Sequence, residues 1–231
     1  VRKGIRKHYF NENYFEIIDN EEKAYWLGFI AADGCILKVS EYNSYRLSIN
    51  ISDIDKSHLE LFQKCIDASD VEIKTYKNIS GYSSKDGTLT SRIVLNSYKM
   101  CTDLMKYNIH ERKSYDIRFP KIRDDLKPHF IRGYFDGDGC YCVYYSKDIN
   151  KHRVSFELVG VSYEFMLDVQ EYLKINGIQT NIYRRKSNNS YRLMTCSKIQ
   201  VLKLIDFLYH DNSICLDRKL KKINEIKSIA V

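Results

Sequence analysis

Between Tyr45 and Ile51 the chain alternates strictly: Tyr45, Leu47, Ile49 and Ile51 are apolar or aromatic, while Arg46, Ser48 and Asn50 between them are polar. That two-residue period is the signature of a strand with one buried face. Cys35–Val39 before it is also strand-like. Asp55–Ala68 instead places Leu59, Phe62 and Ile66 on one side of a helix. Glu72–Ile79 and Thr88–Leu95 then read as a hairpin around the glycine-bounded turn 81–87, and Ser97–Tyr107 as another helix.

The same order returns downstream. Cys140–Ser146 and Arg153–Val159 read as strands, and Ser162–Asn176 as a helix closed by Gly177. Gln179–Arg185 pairs with Tyr191–Cys196 around the turn Ser187-Asn188-Asn189-Ser190, and Ser197–Tyr209 and Cys215–Ile229 read as helices. Two apolar, helix-length runs precede these segments, so the pattern predicts an α+β fold of two αββαββα halves. The expected divisions are an arm at 1–23, a first half at 24–107, a linker at 108–128 holding Pro120 and Pro128, and a second half at 129–231. The basic stretch Arg2–Lys7 reads as the edge of an additional DNA-binding arm or as a frayed end.

The two helical runs are versions of one phrase. Trp26-Leu27-Gly28-Phe29-Ile30-Ala31-Ala32-Asp33-Gly34 returns as Ile131-Arg132-Gly133-Tyr134-Phe135-Asp136-Gly137-Asp138-Gly139, at an offset of 138 − 33 = 105 residues. A glycine inside a helix costs about 1 kcal/mol relative to alanine, so its use at the same point twice calls for a packing reason. Close crossing of the two helices, backbone against backbone, supplies one. The terminal glycines Gly34 and Gly139 suit the left-handed position after a helix, which puts Asp33 and Asp138 in the last turns. A carboxylate is least favoured there, because the helix C-terminus already carries partial negative charge. Two such groups side by side call for a cation. Magnesium suits one or two carboxylates completed by water and phosphate oxygens, as in phosphodiester hydrolysis. An EF-hand does not fit: counting from Asp136, Tyr141 and Lys147 stand where the loop needs Gly and Glu.

The chain has 231 residues, 37 Lys and Arg against 30 Asp and Glu, and a net charge of +7, which permits a nucleic-acid partner without requiring one. The outward strand faces sharpen that reading. They are expected to carry Arg46, Ser48, Asn50, Lys74, Tyr76 and Arg92 in the first half. In the second they carry Tyr141, Tyr145, Arg153, Ser155, Glu157, Tyr183, Arg185 and Arg192. Such side chains hydrogen-bond base edges and phosphates, and a β-ribbon fits the major groove. A one-residue slip in any strand would exchange its whole set. Seven scattered cysteines with no Cys-x-x-Cys pair, and no metal-ligand spacing among six histidines, predict reduced thiols in a reducing compartment. No signal peptide and no apolar run of membrane-spanning length is present, so an unsecreted protein without a membrane partner is expected.

The doubled phrase and its surroundings resemble the LAGLIDADG homing endonucleases, in the single-chain form with two motifs. The resemblance runs from about Ala24 to the C-terminal helix. It implies two pseudo-symmetric halves packed through the motif helices, each with a curved antiparallel sheet on DNA. It further implies a monomer that cuts a duplex site of about twenty base pairs and leaves short 3′ overhangs. By the same resemblance Asp33 and Asp138 bind catalytic magnesium, with the carbonyls of Ala32 and Gly137 helping to hold metal or water. Manganese is expected to substitute, and calcium to support binding with little cleavage. The family places a basic residue near the metals. Arg112-Lys113 and Arg218-Lys219 repeat at an offset of 219 − 113 = 106, which makes Lys113 and Lys219 the candidates and gives Arg112 and Arg218 to the phosphate backbone. Asp55 falls where a polar water-binding residue is common, with Ser162 as its counterpart. Ala31 stands where the second copy has Asp136, a position that varies.

The implied setting is an intron-borne or free-standing mobile gene in the cytoplasm or an organelle matrix. An intron RNA maturase and an inactive DNA-binding regulator share the fold, but either can lose the acids retained here. A self-splicing element would need a nucleophilic first residue and a terminal His-Asn, whereas this sequence runs from Val1 to Ala230-Val231.

Overall fold

The computed structural model describes residues 8–40, 44–78, 87–148, 150–185, 189–209 and 214–230. Arg2–Lys7, nearly all of the 81–87 turn and Ser187-Asn188 lie outside the described residues. Helix α1 (Glu21–Asp33) starts at Asn20, whose side chain caps the Lys23 amide. It runs without a loop into β1 (Gly34–Ser40), followed by β2 (Ser44–Ser52), α2 (Lys56–Cys65), β3 (Lys74–Asn78), β4 (Thr88–Asn96) and α3 (Tyr98–Met105). The second half repeats the order as α4 (Lys127–Asp138), β5 (Gly139–Ser146), β6 (Lys151–Gly160), α5 (Tyr163–Ile175), β7 (Asn181–Arg184), β8 (Tyr191–Thr195) and α6 (Lys198–Leu208), and adds α7 (Asp217–Ala230). The α+β class and the doubled αββαββα order therefore hold. Both sheets are antiparallel and share one topology, β1-β2-β4-β3 and β5-β6-β8-β7.

Two local expectations are corrected by the structure. Pro128 is not in a linker: it occupies the first turn of α4, where its missing N–H costs nothing. Gly34 and Gly139 are extended, at φ −79° and −105°, so neither takes the left-handed position. Their small size is needed instead for close approach. A Cβ on Gly34 would stand 2.6 Å from Ile30 Cγ2, and one on Gly139 would overlap the Phe135 ring. The expected left-handed glycine does occur at Gly177, φ +75°, after α5.

The core centres on α1 and α4. Tyr25, Trp26, Phe29, Ile30, Phe130 and Phe135 are essentially inaccessible, with Leu47, Ile49, Phe156 and Leu158 packed beneath from the two sheets. Before α1, Tyr14, Phe15 and Ile18 are also buried. No helix among the described residues is long and apolar enough to cross a membrane.

Candidate active site and nucleic-acid interface

The glycines bring α1 and α4 together reciprocally. A Cβ on Gly28 would overlap the Phe130 carbonyl oxygen, and one on Gly133 would overlap the Tyr25 carbonyl oxygen. Because 130 − 25 equals 133 − 28, the two contacts are related by the pseudo-twofold axis. The helices end side by side. A Cβ on Gly137 would lie 2.5 Å from the Ala32 Cβ and 2.8 Å from Asp33 Oδ2.

Asp33 and Asp138 are therefore neighbours at one end of the helix pair. Protein atoms crowd both, yet each reaches solvent, Asp33 half-buried and Asp138 exposed. Crowding first, and the Asp138 charge second, push the Asp33 carboxyl up to about 7, against the pull of Arg218, Lys113 and Lys219. Asp138 is also raised by crowding, opposed by the two lysines and by a hydrogen bond from the Tyr134 hydroxyl.

The two lysines complete the arrangement. Lys113 lies on a 3-10 turn (Lys113–Tyr115) after Arg112, which is left-handed at φ 58°. Lys219 lies in the first turn of α7. Their Nζ atoms donate to the carbonyls of Gly34 and Gly139, the residues that follow the two aspartates. Both are almost fully covered. Burial depresses the Lys113 ammonium and lowers Lys219 to about 8. Lys219 also stands 4.7 Å from the Phe135 ring centroid.

Asp55 and Ser162 occupy equivalent places, each the N-cap residue of the helix after the second strand. Their chemistry differs. Ser162 accepts from the Phe165 amide and donates to the Ile117 carbonyl. Asp55 reaches across the halves to the Arg218 Nε at 2.8 Å. Arg218 is thus ion-paired within the protein, with its side chain still about half exposed, at 47%. A cleft of about 560 Å³ joins Asp33, Asp55 and Arg218 to Asn50, Tyr76 and Thr90 of the first sheet.

Strand register places the remaining candidates. In the first sheet Ser48 is opposite Cys35 and Val94, Asn50 is opposite Arg92, and Lys74 pairs with Arg92 from the other side. Arg46, Ser48, Asn50, Lys74, Tyr76 and Arg92 consequently share the outward face. Ser48 is covered there by its neighbours, at 2% exposure. Arg46 Nε donates to Asn96 at 3.0 Å, and Tyr76 donates to Asn50 at 3.4 Å.

In the second sheet Arg153, Ser155, Glu157, Tyr183 and Arg192 share the outward face, with Ser155 nearly covered. Arg185 lies just beyond the end of β7. Arg192 is held by Glu157 at 3.1 Å. The β5 assignment is wrong by one residue. Tyr141 pairs with buried Phe156 and faces the core at 5% exposure, and Tyr145 pairs with His152 on that same side. Cys140, Cys142 and Tyr144 face outward instead, as do Cys35, Leu37 and Val39 of β1.

A buried polar cluster lies behind the helix ends. Asp136 is inaccessible and accepts from the Tyr25 hydroxyl at 2.7 Å and the Tyr209 hydroxyl at 2.6 Å. His58 Nε2 is 2.8 Å from the Tyr25 hydroxyl oxygen, and burial holds its ring down to about 3, so it is neutral. Since Tyr25 gives its proton to Asp136, His58 is the donor in that contact.

Residues 125–208 match the family model described as a LAGLIDADG-like domain. The chain is 27% identical over 223 residues to the replication factor C small subunit of Methanocaldococcus jannaschii; the match takes in 94% of this chain but spans only about a tenth (10%) of that protein's length. The LAGLIDADG meganuclease I-AabMI bound to uncleaved DNA matches with a TM-score of 0.60 at 15% identity, over 92% of this chain and 90% of that one. The LAGLIDADG homing endonuclease I-LtrWI bound to target DNA matches with a TM-score of 0.59 at 14% identity, over 95% and 90%. A single copy of this chain covers nine-tenths of each of those nucleases, so both of its halves have a counterpart.

Proposed function

We propose that this chain, which has the two-motif LAGLIDADG fold and a LAGLIDADG-like domain in its second half, is a monomeric, site-specific endonuclease of double-stranded DNA. The observation that carries the reading is the doubled arrangement of one acid and one lysine. Asp33 with Lys113, and Asp138 with Lys219, flank the ends of two crossed helices.

A divalent cation fits there. Burial first, and the neighbouring Asp138 charge second, raise Asp33 to about 7, and a bound cation would offset both. No cluster of three His, Cys, Asp or Glu side chains forms among the described residues, so Asp33 and Asp138 would hold it with backbone oxygens such as those of Ala32 and Gly137 and with the substrate phosphate. When bound, magnesium supplies charge stabilisation for attacking and leaving oxygens. Lys113 and Lys219 orient water and offset charge developing on the phosphate. The outward faces, through Arg46, Asn50, Lys74, Arg92, Arg153, Tyr183 and Arg192, track the groove. One helical turn per sheet gives a site of about twenty base pairs.

Cutting to short 3′ overhangs, mobility of the encoding element and residence in a reducing compartment belong to the same proposal. Seven free thiols accord with that compartment. Selection of cleaved sites from a randomised duplex library, with magnesium present, tests it. A defined site of that length is the expected result, and recovery of no cleaved sequence would overturn the reading.

A further inference from the structure

Asp136 has a third donor besides the two tyrosines, and it lies at the start of another helix. The backbone N–H of Leu216 donates to its carboxylate at 2.8 Å. The Leu216 carbonyl in turn accepts the amides of Lys219 and Leu220, at 2.9 and 3.1 Å, and so opens the hydrogen-bond ladder of α7. Arg218 also donates to the Asp136 backbone oxygen, at 3.4 Å. Tyr25 belongs to α1, and Tyr209 follows α6. One buried carboxylate therefore ties the other half's motif helix, the end of α6 and the first turn of α7 to a single point. Burial pushes the Asp136 carboxyl up, and its three donors and the Lys219 charge oppose that shift, as does its place at a helix N-terminus.

Among the described residues the first half has nothing comparable. Ala31 stands at the equivalent position, and Lys113 rests on a 3-10 turn set by the left-handed Arg112. The two lysines reach matching carbonyls by different supports.

We infer that Asp136 is a positioning residue for Lys219: it acts as a cap on α7 from another helix, and it makes the two halves of the active site mechanically unequal. This rests on the nuclease reading, in which Lys113 and Lys219 serve separate strands. Asp136→Asn preserves volume but replaces one acceptor oxygen with a donor, which confronts one of the three donors. Tyr209→Phe is the milder test, because it removes one hydrogen bond and leaves the ring.

Hydrogen exchange reads the cap without DNA. In either variant the amides of Leu216 and Lys219 should exchange at least about tenfold faster, the scale of losing a hydrogen bond to a charged acceptor. Cutting reads the consequence. On the library-selected duplex, one strand should be cut about tenfold to a hundredfold more slowly, the other at the wild-type rate, with affinity unchanged. Nicked plasmid then accumulates.

Unchanged exchange at Leu216 would overturn the cap. Equal slowing of both strands would overturn the assignment to Lys219 and leave Asp136 as core structure only. A wild-type chain that cuts nothing in the same gel overturns the nuclease reading, a failure distinct from either.

Discussion

Gly28 sits directly against the carbonyl of Phe130, where a Cβ would overlap the oxygen and stand 2.9 Å from the Tyr134 amide nitrogen. Alanine at position 28 would regain roughly 1 kcal/mol of helix propensity. Overpacking costs about 1–3 kcal/mol, and the obstacle here is helix backbone that no rotamer change can clear. Gly28→Ala and Gly133→Ala should therefore each lower the urea midpoint, and the pair together should lower it further. Both should also slow cutting, because the helix ends bearing Asp33 and Asp138 would move apart. A midpoint at or above wild type would show that the helices do not cross this closely.

Asp33→Asn and Asp138→Asn separate binding from chemistry. Each keeps shape and removes one of two crowded charges, so the fold should be as stable as wild type or more so. Affinity for the selected duplex should persist, since the DNA contacts proposed above lie on the sheet faces and not at the helix ends. Plasmid linearisation should be lost in both. On the proposed reading magnesium would bind the folded state alone, so it should raise the melting temperature of the wild type and do so much less in either variant. Full cutting by an Asn variant would remove the aspartates from the mechanism.

Stability should fall as pH rises through the Asp33 transition. Its carboxyl titrates at about 7 in the fold but near the ordinary 3.8 when unfolded. Between those values the folded state binds more protons, so unfolding becomes easier with rising pH until the transition is complete. Asp33→Asn should flatten this slope, with its advantage over wild type largest near about pH 8 and absent near about pH 4. Lys219 has the opposite effect. It loses its proton at about 8 in the fold against 10.5 unfolded, so its contribution grows with pH across that interval. A cutting reaction that needs ionised Asp33 and charged Lys219 should peak between about 7 and 8 at limiting magnesium. Denaturation curves and single-turnover rates across this range check both.

Tyr141 and Tyr144 test the orientation of β5. The Tyr141 hydroxyl is buried without a hydrogen-bond partner, so Tyr141→Phe should hold or raise stability, by up to about 1–3 kcal/mol, and leave DNA affinity unchanged. Tyr144 faces outward and is about half exposed, at 48%. Tyr144→Ala should weaken duplex binding with little effect on stability. The reverse result in a gel shift would restore the other face of the strand to DNA.

The large design was legible because it is written twice. Gly28 and Gly133 point to a helix crossing, and the near-repeat of Lys113 at Lys219 picks out the basic residues that the resemblance implies near the acids. What went unread depended on partners distant in sequence. Tyr appears at positions of both parities in Cys140–Ser146, so alternation alone could not orient β5, and only pairing with Phe156 decides it. Gly34 and Gly139 carry a size constraint set by Ile30 and Phe135, which looks the same in sequence as a left-handed cap. Arg218 reads as a free surface charge until Asp55, 163 residues away, is brought beside it. Ser48 has the right parity for the outward face, but its neighbours cover it.

The contact between Tyr25 and Asp136 also bears on the ancestry of the chain and on attempts to recombine it. Asp136 accepts a hydrogen bond from Tyr25 of the opposite half, but in a homodimer of the second half the residue facing it would be Phe130, which has no hydroxyl to donate. In a homodimer of the first half, Tyr25 would face Ala31, which cannot accept. The glycine crossing has stayed symmetric, whereas at this contact the two halves have become unlike and complementary only to each other. A chimera that takes one half from a relative will assemble well only if the tyrosine and the aspartate travel as a pair.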